Sequence, residues 1–132
     1  IDRLVAMDGN NRYEPWPQEI RVCEEGTILS LSFDNGEKLS ISAELLRVES
    51  PSAEVQGHGP NEKTILSGKQ GIMILAVEQV GNYAVKIRFD DAHDTGIYSW
   101  KYLYSLGKKK EEIWDKYLEQ LSKKGLSRSK TP

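Results

Sequence analysis

Four ionisable side chains crowd into the five-residue segment Asp90-Asp91-Ala92-His93-Asp94. Three carboxylates beside one imidazole are a ligand set that suits a hard metal ion or iron, and nearby carboxylates favour the charged form of His93. Aspartate side chains also close turns by bonding to the backbone, and an imidazole can donate to a backbone carbonyl instead. The segment therefore has two interpretations, a metal site and a polar structural turn.

The second histidine lies between two glycines and before a proline, in Gly57-His58-Gly59-Pro60. With His93 and one carboxylate, His58 would complete the two-histidine, one-carboxylate set that binds non-haem iron. The glycines would let a ligand or partner approach the backbone closely, although a flexible loop uses the same residues. Nothing in the spacing forces the two histidine loops to meet.

Signatures of other chemistry are missing from the sequence. The single cysteine, Cys23, excludes an intrachain disulfide and a cysteine-rich zinc site, and its place beside Val22 predicts a buried structural thiol. There is neither a phosphate-binding Gly-rich loop nor a Gly-x-Ser-x-Gly nucleophile turn. We therefore expect no catalytic residues, with an unrecognised small enzyme as the alternative.

Size and charge narrow the class of protein further. The 132 residues suit one domain, and the formal net charge of -2 argues against a nucleic-acid-binding protein. No apolar run approaches the ~20 residues that cross a bilayer, and the N-terminal residues do not resemble a secretory signal. A lone cysteine fits a reducing compartment, so we expect a cytoplasmic protein that binds neither nucleic acid nor membrane.

Alternating apolar residues predict two antiparallel hairpins. In the first, residues 29–33 and 39–41 flank Asp34-Asn35-Gly36, where Asn-Gly favours a type I′ turn. Ile20 and Val22 begin a further strand before it. In the second hairpin, residues 72–80 and 83–89 flank a turn, and the first strand, apolar on both faces, is expected at the centre of the sheet.

Three helices are expected in the chain. Ser42 should cap a short helix at residues 43–48, and Ser99 should cap a helix that ends at Gly107. A last helix carries one apolar stripe and ends near Gly125. The predicted fold class is α+β, an antiparallel β-sheet of two hairpins with C-terminal helices packed on it. The predicted organisation is a loosely ordered arm at 1–14, a domain at 15–107, an amphipathic helix at 108–124 and a disordered tail at 125–132.

Two blocks of the sequence resemble the γ-butyrobetaine hydroxylase-like N-terminal domain family, whose short bacterial members have unknown function. The first block consists of Glu44-Leu45-Leu46-Arg47, Ser50-Pro51-Ser52-Ala53-Glu54 and Gly57-His58-Gly59. The second block is longer and consists of residues 80–87, Phe89-Asp90-Asp91 and His93-Asp94-Thr95-Gly96-Ile97-Tyr98-Ser99-Trp100. The resemblance covers roughly residues 15–107.

The resemblance implies a role beside other proteins. In the family's hydroxylases the domain precedes a catalytic oxygenase domain, for which this chain is too short, and it helps dimerisation. Elsewhere it is fused to iron–sulfur carrier proteins. The implied function is a non-catalytic accessory or protein-interaction module linked to iron–sulfur or metal handling. The implied partners are an iron–sulfur carrier, an oxygenase-like protein or a second copy of the chain.

The family's hydroxylases hold a structural zinc ion with three cysteines and a histidine. The histidine matches His93, but the cysteines fall near Ser50, Ser52 and Val55, so that zinc site is not retained. The resemblance still implies that residues 50–59 lie against the loop of His93. The sequence therefore gives two alternative sets of functional residues. The expected partner-binding residues are Ser50, Ser52, Glu54, Gly57, His58, Gly59, Asp94 and Tyr98. The alternative is an iron or zinc site formed by His93, His58, Asp90, Asp91 and Asp94.

Overall fold

The computed structural model of the chain describes residues 15–57 and 63–129. It contains two three-stranded antiparallel sheets, in the orders β1-β2-β3 and β4-β5-β6. The strands are β1 (Pro17–Cys23), β2 (Ile28–Phe33), β3 (Lys38–Ser42), β4 (Ile74–Val80), β5 (Ala84–Phe89) and β6 (Gly96–Ser99). The helices are a 3₁₀ turn (Glu24–Gly26), α1 (Ala43–Val48), α2 (Ala53–Gln56), α3 (Trp100–Lys108) and α4 (Lys110–Lys123). The α+β class predicted from the sequence is confirmed.

The first sheet follows the alternating pattern of its residues. Leu29, Leu31 and Phe33 of β2 are buried, while the serines between them are partly exposed. Ile20 pairs with Leu31 across β1 and β2, which confirms the predicted strand before the hairpin. Cys23 ends this outer strand and is only partly buried, so the prediction of a buried thiol is wrong. The edge position of β1 leaves it uncovered.

The turn of the first hairpin differs from the predicted type I′ turn. Gly36 has a φ of +91°, but Asn35 is not among the described residues with positive φ. The amide of Gly36 donates to the carbonyl of Phe33 (3.0 Å), and the amide of Phe33 donates to the carbonyl of Glu37 (2.9 Å). This is a three-residue loop in which glycine alone takes the left-handed conformation.

The second sheet has a different centre from the predicted one. β5 lies between β4 and β6, so β4 is an edge strand. A register shift between Ile74 and Ala76 interrupts the pairing of β4, and Leu75 is 57% exposed. The apolar run therefore does not mark a strand that is covered on both faces. Strand β6 was not predicted, because its four residues are too few to show a period.

One hydrophobic core joins the sheets to the helices. The side chain of Ser42 accepts from the amide of Leu45, and that of Ser99 accepts from the amide of Tyr102, so both predicted N-caps are confirmed. Gly107 does not end α3. It lies inside the helix, where a Cβ atom would approach a side-chain carbon of Leu39 to 2.8 Å, so glycine lets α3 pack closely on β3.

The residues after α4 form hydrogen bonds with the segment before β4. Gly125 follows the C-cap residue of α4 with a φ of +67°, and residues 126–129, here called the C-terminal clamp, reach residues 68–70. The amide of Gly68 donates to the carbonyl of Ser127 (2.9 Å), and that of Gln70 donates to the carbonyl of Arg128 (3.0 Å). The predicted disordered tail at 125–132 therefore begins with residues that make these hydrogen bonds. Residues 130–132 and the predicted arm at 1–14 lie outside the described residues.

Within the two described ranges, no helix combines the length and apolar character that crossing a membrane requires.

Candidate functional site

Two segments that are distant in sequence meet beside the second sheet. One follows α1 and includes α2, and the other joins β5 to β6. Ser50 Oγ lies 3.0 Å from His93 Nε2, and Ser52 Oγ lies 2.8 Å from Thr95 Oγ1. The convergence expected from the resemblance is therefore present. We call residues 50–57 and 90–96 the paired loops.

Ser50 is buried where the paired loops contact each other. Its side chain is 0% exposed, and its oxygen also accepts from the amide of Ser52 (3.3 Å). The carbonyl of Ser50 accepts from Gln56 Nε2 (2.8 Å). A Cβ atom on Gly96 would lie 2.5 Å from Ser50 Oγ. Glycine at position 96 is therefore what lets β6 begin directly against the serine.

Both oxygens of the Asp91 carboxylate accept hydrogen bonds within the protein, although the side chain is 22% exposed. Its Oδ2 accepts from Arg47 Nε (2.8 Å) and Lys69 Nζ (2.6 Å), and its Oδ1 accepts from the amide of His93 (3.1 Å). Burial alone would raise the pKa of Asp91, but the hydrogen bonds from Lys69, Arg47 and His93 outweigh it and lower the pKa from 3.8 to about 2. Asp91 is therefore a fixed anion that joins three parts of the chain.

Arg47, which holds this anion, is itself buried. Its Nη1 is inaccessible and finds no hydrogen-bond partner in the part of the chain that the structure describes. A buried guanidinium with an unsatisfied donor is unfavourable unless a nearby carboxylate compensates for the lost hydration. The ion pair with Asp91 therefore matters more than an exposed pair would.

Two tyrosines close the end of α1 under the paired loops. Tyr98 donates to the carbonyl of Leu46 (2.6 Å), and Tyr102 donates to the carbonyl of Glu49. These carbonyls lie in the last turn of the helix and just beyond it, where intrahelical partners run out. Burial raises the pKa of both phenols. Both groups therefore stay protonated donors at neutral pH.

The outer side of the paired loops carries exposed carboxylates. Asp90 and Asp94 both face solvent. The amide of Asp90 donates to the carbonyl of Met73 (2.9 Å), and its side chain accepts from the amide of Met73 (3.2 Å). Ala92 takes the left-handed conformation with a φ of +71°, which is costly for a residue with a Cβ atom. The surrounding hydrogen bonds hold this strained turn in place.

The predicted metal ligands are not gathered into one group by the described residues. Nowhere in residues 15–57 and 63–129 do three His, Cys, Asp or Glu side chains cluster in a way that could hold a metal ion. His58 and Gly59 lie outside the described residues, and the side chain of Glu54 is also not described. The metal site remains a prediction.

The family's zinc ion does not fit the residues that stand at its ligand positions. Ser50 and Ser52 offer hydroxyls, and Val55 offers a buried hydrocarbon side chain. Structural zinc needs four good donors, usually thiolates and imidazoles. The contact between Ser50 and His93 instead joins the two loops by a direct hydrogen bond.

Sequence reasoning missed three residues that build the site. Lys69 and Arg47 were not recognised because their partner, Asp91, is far away in the chain. Gly96 was seen only as part of a loop. A lone glycine before an alternating stretch signals a close approach of another chain segment, and that signal was available.

Comparison with known proteins agrees with this fold. The family described as Gamma-butyrobetaine hydroxylase-like, N-terminal, matches residues 20–104. Two similar structures were solved by NMR in solution. One is 39% identical with a TM-score of 0.78, covering 91% of this chain and 94% of that chain. The other is 45% identical with a TM-score of 0.75, covering 87% of this chain and 86% of that chain.

A crystal structure from Acidithiobacillus ferrooxidans is also similar. It is of a DUF971 family protein of unknown function, which is 33% identical with a TM-score of 0.57, covering 69% of this chain and 91% of that chain. No curated protein sequence matches the chain. Because the family match extends over most of both sheets and α3, the chain belongs to the γ-butyrobetaine hydroxylase-like N-terminal domain family.

Proposed function

We propose that this domain is a non-catalytic accessory module that docks another protein through the outer surface of the paired loops. The observation that carries the proposal is the buried 3.0 Å contact between Ser50 and His93, which fixes two loops from distant parts of the chain. A surface that is ordered before binding loses less conformational entropy when a partner arrives. The contact between Ser50 and His93 therefore favours binding of a partner and does not require catalysis.

The charge of the outer surface indicates what kind of partner would fit. Arg47 and Lys69 neutralise the carboxylate of Asp91, which leaves the exposed residues Asp90 and Asp94 to set the charge of the outer surface. An acidic surface is complementary to a basic patch on a partner and speeds the encounter. Ser50 and Tyr98 are buried, so their contribution to docking would be to hold the loops rather than to touch the partner.

The class of partner that we propose is an iron–sulfur carrier or an oxygenase-like protein. This part of the proposal rests on the family resemblance and not on the geometry of the loops.

Catalysis is the less favoured alternative, although Ser50 and His93 are arranged like a nucleophile and its base. A serine nucleophile must be reached by the substrate, and Ser50 is fully buried with Gly96 packed against its oxygen. Turnover of a substrate that the His93→Ala substitution abolishes would revive the enzyme hypothesis.

A binding comparison tests the docking proposal. The untagged domain, an Asp94→Lys variant and a Glu119→Lys control would be used to recover partners from the native cell, with identification by mass spectrometry. Glu119 is an exposed acid on α4, so the control makes the same charge change away from the paired loops. We expect a partner that the wild type and the control retain and the Asp94 variant loses, confirmed by titration of that purified protein. Identical partner sets for all three proteins would contradict the proposal.

Metal analysis separates docking from the metal-binding alternative. A metal at Asp91 would compete with Arg47 and Lys69 for its oxygens, so we expect untagged protein to contain well below one equivalent of iron or zinc. Stoichiometric metal that disappears in a His93→Ala variant would favour the metal-binding domain instead.

A further inference from the structure

An apolar cleft lies between β1 of the first sheet and β4 and β5 of the second. Its cavity volume is about 450 Å³, and its apolar lining is formed by Trp16, Ile20, Val22, Val77, Val85 and Trp100. Val22 is 42% exposed and Trp16 is 46% exposed. Leaving such side chains in water is unfavourable, and grouped apolar exposure of this kind marks interaction sites.

The cleft is bordered by two free strand edges. Among the described residues, β1 pairs only with β2 and β4 pairs only with β5. Each outer edge therefore presents backbone amides and carbonyls that no ladder uses. An extended segment laid in the cleft along either edge would find backbone hydrogen-bond partners there.

The strands that border the cleft run in opposite directions. At one end, a Cβ atom on Gly26 would lie 2.9 Å from the carbonyl oxygen of Ile74, so the residues after β1 touch the first residue of β4. At the other end, the rings of Trp16 and Trp100 are 6.3 Å apart, and Trp100 Nε1 donates to the carbonyl of Asn82 (2.9 Å). A segment in the cleft would therefore be parallel to one strand and antiparallel to the other.

The charged residues around the cleft indicate what kind of segment would bind there. Glu19 pairs with Arg21, and Glu78 pairs with Lys86. Glu24 and Glu25, at the end where the strands meet, form no ion pair with any residue in the described ranges and are exposed. Both have positive φ, 51° and 58°, so this acidic turn is held in an unusual conformation. A basic side chain on the bound segment would complement it.

A second copy of the chain is a poorer occupant than a different protein. In a two-fold dimer each surface contacts the same surface of the other copy. The acidic turns at Glu24 and Glu25 would then either face carboxylates or make no contribution to binding. A segment with apolar residues at alternate positions would place them against the cleft lining, because side chains of a strand alternate between faces.

We propose that the cleft between β1 and β4 binds an extended segment of a partner protein, apolar at alternate positions and basic near one end. This surface is separate from the paired loops, so the proposal can be tested independently of the docking function proposed for those loops.

The test uses a capped synthetic peptide, acetyl-Lys-Val-Thr-Val-Thr-Val-amide, titrated into ¹⁵N-labelled protein. We expect saturable amide shifts concentrated in β1 and β4. Replacing the central valine of the peptide by proline, which removes a backbone donor, should weaken binding at least about tenfold. No shifts in β1 and β4 at millimolar peptide would overturn the proposal.

Protein variants provide a second, matched comparison. Val22→Lys places a charge in the cleft, whereas Ile97→Lys changes a residue of similar exposure, 45%, on the edge strand β6. Val22→Lys should weaken peptide binding at least about tenfold and Ile97→Lys by less than about twofold. Equal affinities would contradict the proposed site. If sedimentation showed a dimer that Val22→Lys dissociates, the occupant would be a second copy and the proposal would be wrong. The peptide series on wild-type protein remains decisive if Val22→Lys fails to fold.

Discussion

Gly96 and Ser50 approach so closely that a methyl group on Gly96 would lie 2.5 Å from the serine oxygen. The same methyl group would lie 3.0 Å from a ring carbon of Tyr98. A side chain at position 96 would therefore push apart the two loops whose joining defines the candidate site.

The first prediction is that Gly96→Ala destabilises the domain by about 2 kcal/mol, because overpacking of a tight interior contact costs about 1–3 kcal/mol. Urea denaturation monitored by tryptophan fluorescence would measure the change. The control is a double-mutant cycle with Ser50→Ala, which removes the clashing oxygen. The two substitutions should be coupled, with the double variant less destabilised than the sum of the single variants. Simple additivity would show that the clash lies elsewhere.

The second prediction concerns acid stability through Asp91. The folded pKa of about 2 lies below the ordinary 3.8, so the unfolded chain takes up this proton first. The stabilisation is complete above about pH 4 and is lost as pH falls towards 2. The shift corresponds to at most about 2–3 kcal/mol, reduced towards about 1 kcal/mol by solvent screening.

Unfolding free energies measured from pH 6 to pH 2 would check this window. Asp91→Asn should flatten the decline, and Lys69→Ala should flatten it less because Arg47 still holds the carboxylate. An Asp91→Asn protein with the wild-type pH profile would rule out this role for the carboxylate.

The third prediction tests the C-terminal clamp. Arg128 makes two hydrogen bonds to Glu44 (2.9 and 2.8 Å) and lies over the ring of Trp114. Because Glu44 is buried, Arg128→Ala would leave its carboxylate without this partner and should cost about 2 kcal/mol.

Arg21→Ala is the matched control for the clamp, since its pair with Glu19 is exposed. It should change stability by less than about 0.5 kcal/mol. Hydrogen exchange should also show faster exchange of the amides of residues 68 and 70 in the Arg128 variant. Equal effects of the two arginine substitutions would argue against a clamp.

The fourth prediction isolates one buried hydroxyl. Tyr98→Phe removes the donor to the carbonyl of Leu46 without changing the ring, and should cost about 1–2 kcal/mol. Tyr83→Phe removes a hydroxyl from a side chain that is 54% exposed and should be nearly neutral. Thermal unfolding of both proteins would compare them, and an equally neutral Tyr98→Phe would contradict the structural role.

Much of the fold could be predicted because its signals are local. Alternation around Asp34 to Gly36 identified the first hairpin, and Ser42 and Ser99 marked helix starts through bonds to amides three residues on. The order of the strands could not be predicted in the same way. The apolar stretch of β4 was expected at the centre of the sheet, but burial depends on which strand lies beside it.

The candidate site was only partly predictable for the same reason. His93 and its aspartates stood out as a cluster in the sequence. Their actual partners, Arg47 and Lys69, lie 44 and 22 residues away, and no local pattern encodes such pairings. The ion pairs that Asp91 makes in the structure follow from those distant cations.

The C-terminal clamp is the last part of the described fold to be synthesised. Ribosomes release the N-terminal part of a chain first, so both paired loops emerge before Arg128 does. Lys69 is flanked by the two residues that the clamp holds, so the clamp braces the backbone on both sides of the lysine that bonds Asp91. In a nascent chain, the amides of residues 68 and 70 would thus lack these partners until residues 127 and 128 have been made.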